Sequence, residues 1–147
     1  MTDKMVSLKS IKSVEIFIDG GCPSNGSVDA QGFYSFAVKV NGEVVRLVHK
    51  QSLVDEIGDS TKHTNNVAEY VALLSALRYI VADKRRAGLS YTLYTDSKLV
   101  HDQITGKAKV KDMVLSGLNA TALDLLHSLK VFIERVPREQ IVSVLGH

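Results

Sequence analysis

Three carboxylates occupy positions from which they could do chemistry. Asp19 ends the run Val14-Glu15-Ile16-Phe17-Ile18 and is followed by Gly20-Gly21. Asp96 ends a second β-prone run, Tyr91-Thr92-Leu93-Tyr94-Thr95, and is followed by Ser97. Glu69 lies in an Ala- and Leu-rich stretch, residues 64–80, that reads as a helix. On a helical wheel Leu73, Ala76, Leu77 and Ile80 share one stripe, and Glu69 falls on it one turn earlier. A bare carboxylate on a core-facing stripe costs on the order of several kcal/mol to desolvate. Either it escapes at the helix end, where the dipole favours a first-turn Glu, or a cation such as a bound metal compensates it. Two strand ends and one helix start can converge where a helix packs on a sheet. Three carboxylates at such a point make a hard, all-oxygen cluster suited to Mg²⁺ or Mn²⁺.

The elements that must hold these groups can be read from periodicity and turn chemistry. Residues 1–12 are a polar lead-in, a frayed terminus or a short extra strand, with the domain proper expected over 13–147. Val14, Ile16 and Ile18 alternate against Glu15 and Phe17, which predicts a first strand over 14–19. A turn-rich loop spans 20–31. Two β-prone runs, 32–40 and 43–52, flank Asn41-Gly42 and form an antiparallel hairpin. Residues 53–63 read as a loop. Thr64, Asn65 and Asn66 cap the long helix, which should run to about Ala87 and stop at Gly88. The basic cluster Lys84-Arg85-Arg86 suits that helix end as a solvated terminus.

A fourth strand over 89–96 follows, parallel to the first by the right-handed crossover rule. Ser97 caps a short helix to 105, and Lys107, Lys109 and Lys111 mark a basic loop. A second long helix spans 112–129, with Val114, Leu118, Ala122, Leu125 and Leu129 on its core face. A fifth strand over 131–136 stops at Pro137. The order is that of a mixed α/β fold, a five-stranded sheet with helices packed on it.

With 147 residues the chain is one domain with room for a sizeable core. Hydrophobic content of 45% and charged content of 23% suit a globular protein, and a net charge of +2 permits nucleic-acid binding without arguing for it. The single Cys22 excludes an internal disulfide framework and suits a reducing cytosol. Signal-peptide and membrane-spanning runs are absent from the sequence, so a cytoplasmic protein without membrane contact is expected.

The sequence resembles ribonuclease HI. The resemblance rests on Ile-Asp-Gly-Gly-Cys-Pro-Ser-Asn-Gly at 18–26, Thr-Asn-Asn-Val-Ala-Glu-Tyr-Val-Ala-Leu at 64–73, Tyr-Thr-Asp-Ser-Lys-Leu-Val at 94–100 and Arg-Val-Pro-Arg-Glu-Gln at 135–140. It implies the ribonuclease H-like fold and hydrolysis of the RNA strand of an RNA–DNA hybrid, giving 5′-phosphate and 3′-hydroxyl ends. It also implies two divalent ions about 3.5–4 Å apart, one activating a water and one stabilising the leaving oxygen. Asp19 would bridge both, with Glu69 and Asp96 each serving one or the other. Cys22, Asn25, Asn65 and Asn66 would lie beside the carboxylates and read the 2′-hydroxyl. Lys62 and Thr64 would hold a phosphate of the DNA strand. Each of these also has a plain reading: an Asn-Gly turn at Asn25, caps at Asn65 and Asn66, a small buried residue at Cys22, and a solvated side chain at Lys62. A monomer is expected.

Three features depart from the family pattern. The basic protrusion of some bacterial members is missing, as in the short forms. Their His-containing loop is replaced by Val136-Pro137-Arg138-Glu139. The usual fourth carboxylate lies eight residues after the Pro, where this chain has Leu145, and the usual Asn is Ile141. The C-terminal helix should therefore be short or missing. His147 offers an imidazole or α-carboxylate as a replacement ligand, and Glu139 is a weaker substitute. Such a site should hold metal less tightly than a four-carboxylate one and favour Mn²⁺. His49, His63, His101 and His127 read as solvated or packing residues. Two other readings stay open: a non-catalytic nucleic-acid-binding module, and another polynucleotidyl transferase of the same superfold, against which the 64–69 motif argues.

Overall fold

Ser13–Gly21 (β1), Phe33–Val40 (β2) and Glu43–Ser52 (β3) form an antiparallel meander. The Asn41-Gly42 turn takes φ +53° and +80°, the paired left-handed values that a two-residue hairpin needs. The chain continues through Val54–Ile57 (α1), Asn65–Ala82 (α2), Ser90–Thr95 (β4), Lys98–Ile104 (α3), Met113–His127 (α4), Val131–Arg135 (β5) and Arg138–Leu145 (α5). The computed structural model describes residues 13–23, 30–58 and 60–147, so the lead-in 1–12 and Asn25 lie outside the described residues. The strands are ordered β3-β2-β1-β4-β5, with β4 parallel to β1 and β5 parallel to β4. This is the expected mixed five-stranded sheet.

Both faces of β1 are covered. Val14, Ile16 and Ile18 enter the main core beneath α2, while Phe17 joins a smaller cluster with Ala37, Ile141 and Leu145 of α5. The alternation of the first strand therefore separates two cores rather than a core from solvent. The long helix is likewise buried on more than one side. Every residue from Val67 to Leu77 is buried, because the sheet lies against one flank of α2 and α4 against another.

Three features differ from expectation. Residues 53–63 contain the one-turn α1. The long helix ends at Ala82, not 87. Asp83 leaves it in an extended conformation, accepting from the Tyr91 hydroxyl at 2.6 Å and from the Arg85 N–H at 3.0 Å. Such side-chain bonds compete with the helical ladder, and Arg86–Gly88 form a separate 3₁₀ turn. In α4 the innermost residues are Leu115, Asn119 and Ala122, with Leu118, Leu125 and Leu129 partly buried beside them, whereas Val114 is 43% exposed. The face is rotated because Asn119 is drawn inward. Its amide donates to the Tyr70 hydroxyl at 3.1 Å, which donates to Gln103 Oε1 at 2.6 Å. That polar thread ties α4, α2 and α3 together.

One contact sets the distance between β1 and α2. A Cβ on Gly20 would lie 2.2 Å from the Ala68 carbonyl carbon and 2.3 Å from its oxygen. Only glycine allows strand and helix backbones to approach so closely. Gly117, exposed on α4, has nothing within 4 Å of such a Cβ. Gly20→Ala should therefore cost more than about 3 kcal/mol, since rigid backbone must move. Gly117→Ala should stabilise by about 0.5–1 kcal/mol. Urea denaturation of the two variants measures both effects, and comparable stabilities would refute the close-approach argument.

Candidate active site

The Gly20 contact carries Glu69 to its place. With the first turn of α2 pressed on the end of β1, the Gly20 N–H donates to Glu69 Oε1. Asp19 precedes it on the same strand, and Asp96 follows the parallel neighbour β4. One oxygen from each of Asp19, Glu69 and Asp96 lies within 4.8 Å of the other two. Asp19 and Glu69 are buried, at 4% and 9% exposure.

Charge at this point is under-compensated. Burial raises the Asp19 pKa, and the neighbouring Asp96 adds to it, against the hydrogen bond with Glu69 and the attraction of His147 and Arg138. Burial pushes Glu69 well above the usual carboxylate range, and the charges of Asp19 and Asp96 push it further. Among the described residues, the Arg or Lys side chain in direct contact is Arg138, whose Nη1 donates to Asp96 Oδ2 at 3.1 Å from a side chain 62% exposed. An ion pair that wet contributes about 1 kcal/mol or less. Three convergent carboxylates, with the proton affinity of Asp19 and Glu69 raised, are an all-oxygen donor set that fits a hard divalent cation.

The fourth corner is built differently. Leu145 is buried with Ile141 against Phe17 and Ala37, so this position belongs to the smaller core and offers no donor. Glu139 sits exposed in the first turn of α5. Beyond α5, Gly146 takes φ +82°, a left-handed cap, and its N–H donates to the Val142 carbonyl at 2.8 Å. The chain turns back there and delivers His147 to Asp19. His147 Nδ1 lies 3.0 Å from Asp19 Oδ2, and Nε2 lies 2.7 Å from Ser35 Oγ. The ring packs edge-on against Phe33 and His49. Its burial lowers the His147 pKa, with Asp19 opposing and Lys50 and His49 assisting.

The substrate-side residues gather beside the start of α2. The Cys22 N–H donates to Asn65 Oδ1 at 2.7 Å, and the buried thiol lies 3.5 Å from the His63 carbonyl. Thr64 Oγ1 caps the helix by accepting from the Val67 N–H at 3.1 Å. Asn66 and Lys62 are exposed. A cleft of about 460 Å³ is lined by Lys62, Thr64, Asn65 and Asn66, with Asp112 and Leu115 of the α4 start on its far side. His63, read from the sequence as a solvated or packing residue, is buried and bonded at both nitrogens. It accepts from the Gly32 N–H at 2.9 Å and donates to the Gly58 carbonyl at 3.0 Å.

Ser35, Arg138 and the close approach at Gly20 belong to the site without being singled out by residue type or spacing in the sequence. Ser35 had one faint signal, a small polar residue in an otherwise apolar strand. Arg138 stood in the Val-Pro-Arg motif without a role assigned to it.

A family profile for RNase H matches residues 11–147. The fold is similar to an N-terminal RNase H domain from Mycobacterium tuberculosis, solved as a fusion with maltose-binding protein. That similarity has 29% identity and a TM-score of 0.73, over 91% of this chain and 88% of the other. RNase H1 from the halophilic archaeon Halobacterium salinarum is 25% identical with a TM-score of 0.74, over 90% and 93%. LC11-RNase H1, in complex with an RNA/DNA hybrid, is 21% identical with a TM-score of 0.72, over 88% and 89%. None of the curated proteins gives a match.

The raised carboxyls have a thermodynamic consequence. The native state holds these protons more tightly than the unfolded chain. Their contribution to stability therefore falls as pH rises from the ordinary carboxylate range through the raised values. Glu69→Gln keeps the acceptor for Gly20 and removes one charge. At neutral pH with chelator present it should raise Tm by roughly 2–4 °C, about 1 kcal/mol, an advantage that vanishes in acid. Mg²⁺ should stabilise the wild type and have little effect on the variant. Calorimetric melts across pH, with and without Mg²⁺, measure both effects.

Proposed function

Because the chain belongs to the RNase H family, we propose that it is an endonuclease acting on the RNA strand of RNA–DNA hybrids with two divalent ions, Mg²⁺ or Mn²⁺, leaving 5′-phosphate and 3′-hydroxyl ends. The observation that carries this reading is the convergence of Asp19, Glu69 and Asp96 within 4.8 Å at the carboxyl ends of two parallel strands. Ions bound there supply an activated water and charge neutralisation of the leaving oxygen. In the family pattern Asp19 would be shared between the ions, with Glu69 and Asp96 each serving one or the other. His147 completes the site at the corner that Leu145 leaves apolar.

Substrate selection falls to the neighbouring surface. Asn65 and Asn66 carry amides that donate and accept, as reading of a 2′-hydroxyl requires. Cys22 fixes the loop against Asn65. Lys62 and Thr64 line the cleft where a phosphate of the DNA strand would lie. The fold shared with LC11-RNase H1, solved with hybrid, makes hybrid the first substrate to try. The protein is expected to act as a monomer.

The test is cleavage of labelled hybrid, DNA duplex and single-stranded RNA, in Mg²⁺ and in Mn²⁺. Hybrid should be cut and DNA duplex left intact. Asp96→Asn should stay folded and lose on the order of 10³-fold in rate, the equivalent of several kcal/mol of lost charge stabilisation. Wild-type cleavage rates in Asp96→Asn would remove Asp96 from the site. Hybrid binding without cleavage in either metal would instead identify a non-catalytic binding module.

A further inference from the structure

Ser35 is fully buried on β2, opposite Asp19 in the antiparallel register. At the same place β3 bulges. Tyr34 pairs with Gln51 and Phe36 with Val48, so His49 and Lys50 together face Ser35 alone. Lys50 adopts φ +48°, a left-handed value that costs a non-glycine residue on the order of 1 kcal/mol. Its N–H is thereby aimed at a side chain, donating to Ser35 Oγ at 2.8 Å.

The hydrogens then follow from the partners. Asp19 Oδ2, 3.0 Å from His147 Nδ1, is placed to accept a proton carried there. Ser35 Oγ accepts from Lys50 and has one proton to give, and Nε2 of His147 lies 2.7 Å away. With the Nδ1–H tautomer every group is satisfied: Lys50 N–H to Ser35, Ser35 O–H to Nε2, Nδ1–H to Asp19. A proton on Nε2 would leave the Ser35 hydroxyl hydrogen without an acceptor among the described residues. Both ring nitrogens are thus engaged with the protein.

We propose that Ser35, held by the β3 bulge, is a positioning residue that locks His147 in the Nδ1–H tautomer and so orients the Asp19 carboxylate for a divalent ion. His147 acts through Asp19 rather than by binding the ion itself. The proposal rests on the reading of Asp19 as an ion ligand. Outer hydrogen-bond partners of metal ligands typically change affinity 10–100-fold.

The test uses the whole chain, metal-free and labelled with ¹⁵N-histidine. The His147 ring signals are those lost in His147→Ala. Their nitrogen shifts should show a single Nδ1–H tautomer in the wild type and a mixture in Ser35→Ala. Mn²⁺ binding by calorimetry, without nucleic acid, should weaken at least about 10-fold in Ser35→Ala. In the His147→Ala background the same Ser35 substitution should change nothing further, since the two residues act in series. An Nε2–H tautomer in the wild type overturns the proposal, even if Ser35→Ala does not fold. Equal weakening by Ser35→Ala with and without His147 overturns it as well. Wild type that binds no Mn²⁺ yet shows the Nδ1–H tautomer overturns the ion-ligand reading of the carboxylates, and with it the role assigned to Ser35.

Discussion

Three negative groups within 4.8 Å of one another, two of them buried, repel, and the structure has to hold them against that repulsion. It does so with backbone rather than with counter-charge. Gly20 lets the end of β1 touch the first turn of α2, and its N–H holds Glu69 directly. The helix that carries Glu69 cannot retreat. It is buried from Val67 to Leu77 between sheet and α4, and Tyr70, one residue on, is tied to Gln103 and Asn119. Burial, with the repulsion added to it, raises the proton affinity of Asp19 and Glu69, and the same setting favours a bound cation.

The sheet divides the labour between its two faces. On one side α2 supplies Glu69 and the main core. On the other, α5 seals a small cluster with Ile141 and Leu145, and the residues at its ends reach the site: Arg138 touches Asp96 and His147 touches Asp19. Asp19 sits at the seam, where the parallel pair β1 and β4 ends. The outer ends of parallel strands are where ligands bind in sheets of this kind.

Much of this was legible in the sequence, because it is written in local signals. The three carboxylates stand at the ends of β-prone or helical runs, the Asn-Gly turn fixes the β2–β3 hairpin, and Thr64, Ser97 and Asp112 all cap helices through their side chains. What was not legible depends on distant partners. Asp83 stops α2 early for the sake of Tyr91, and Asn119 rotates α4 toward Tyr70. The bulge at Lys50 leaves no mark in a sequence of ordinary strand residues. Counting residues from Pro137 located the missing fourth carboxylate. The Gly146 turn that sends His147 back to the sheet emerges only in three dimensions.

The four corners of the site are not equally free to change over evolutionary time. Asp19, Glu69 and Asp96 are held by strands and a helix whose backbones interlock, so altering their spacing means altering the fold. The last corner hangs from α5, which grips the sheet through two buried side chains, Ile141 and Leu145. Substitutions confined to that helix can exchange one polar group for another while Asp19, Glu69 and Asp96 stay where they are. The site is therefore modular at one edge, and diversity among relatives with this architecture should concentrate in the closing helix.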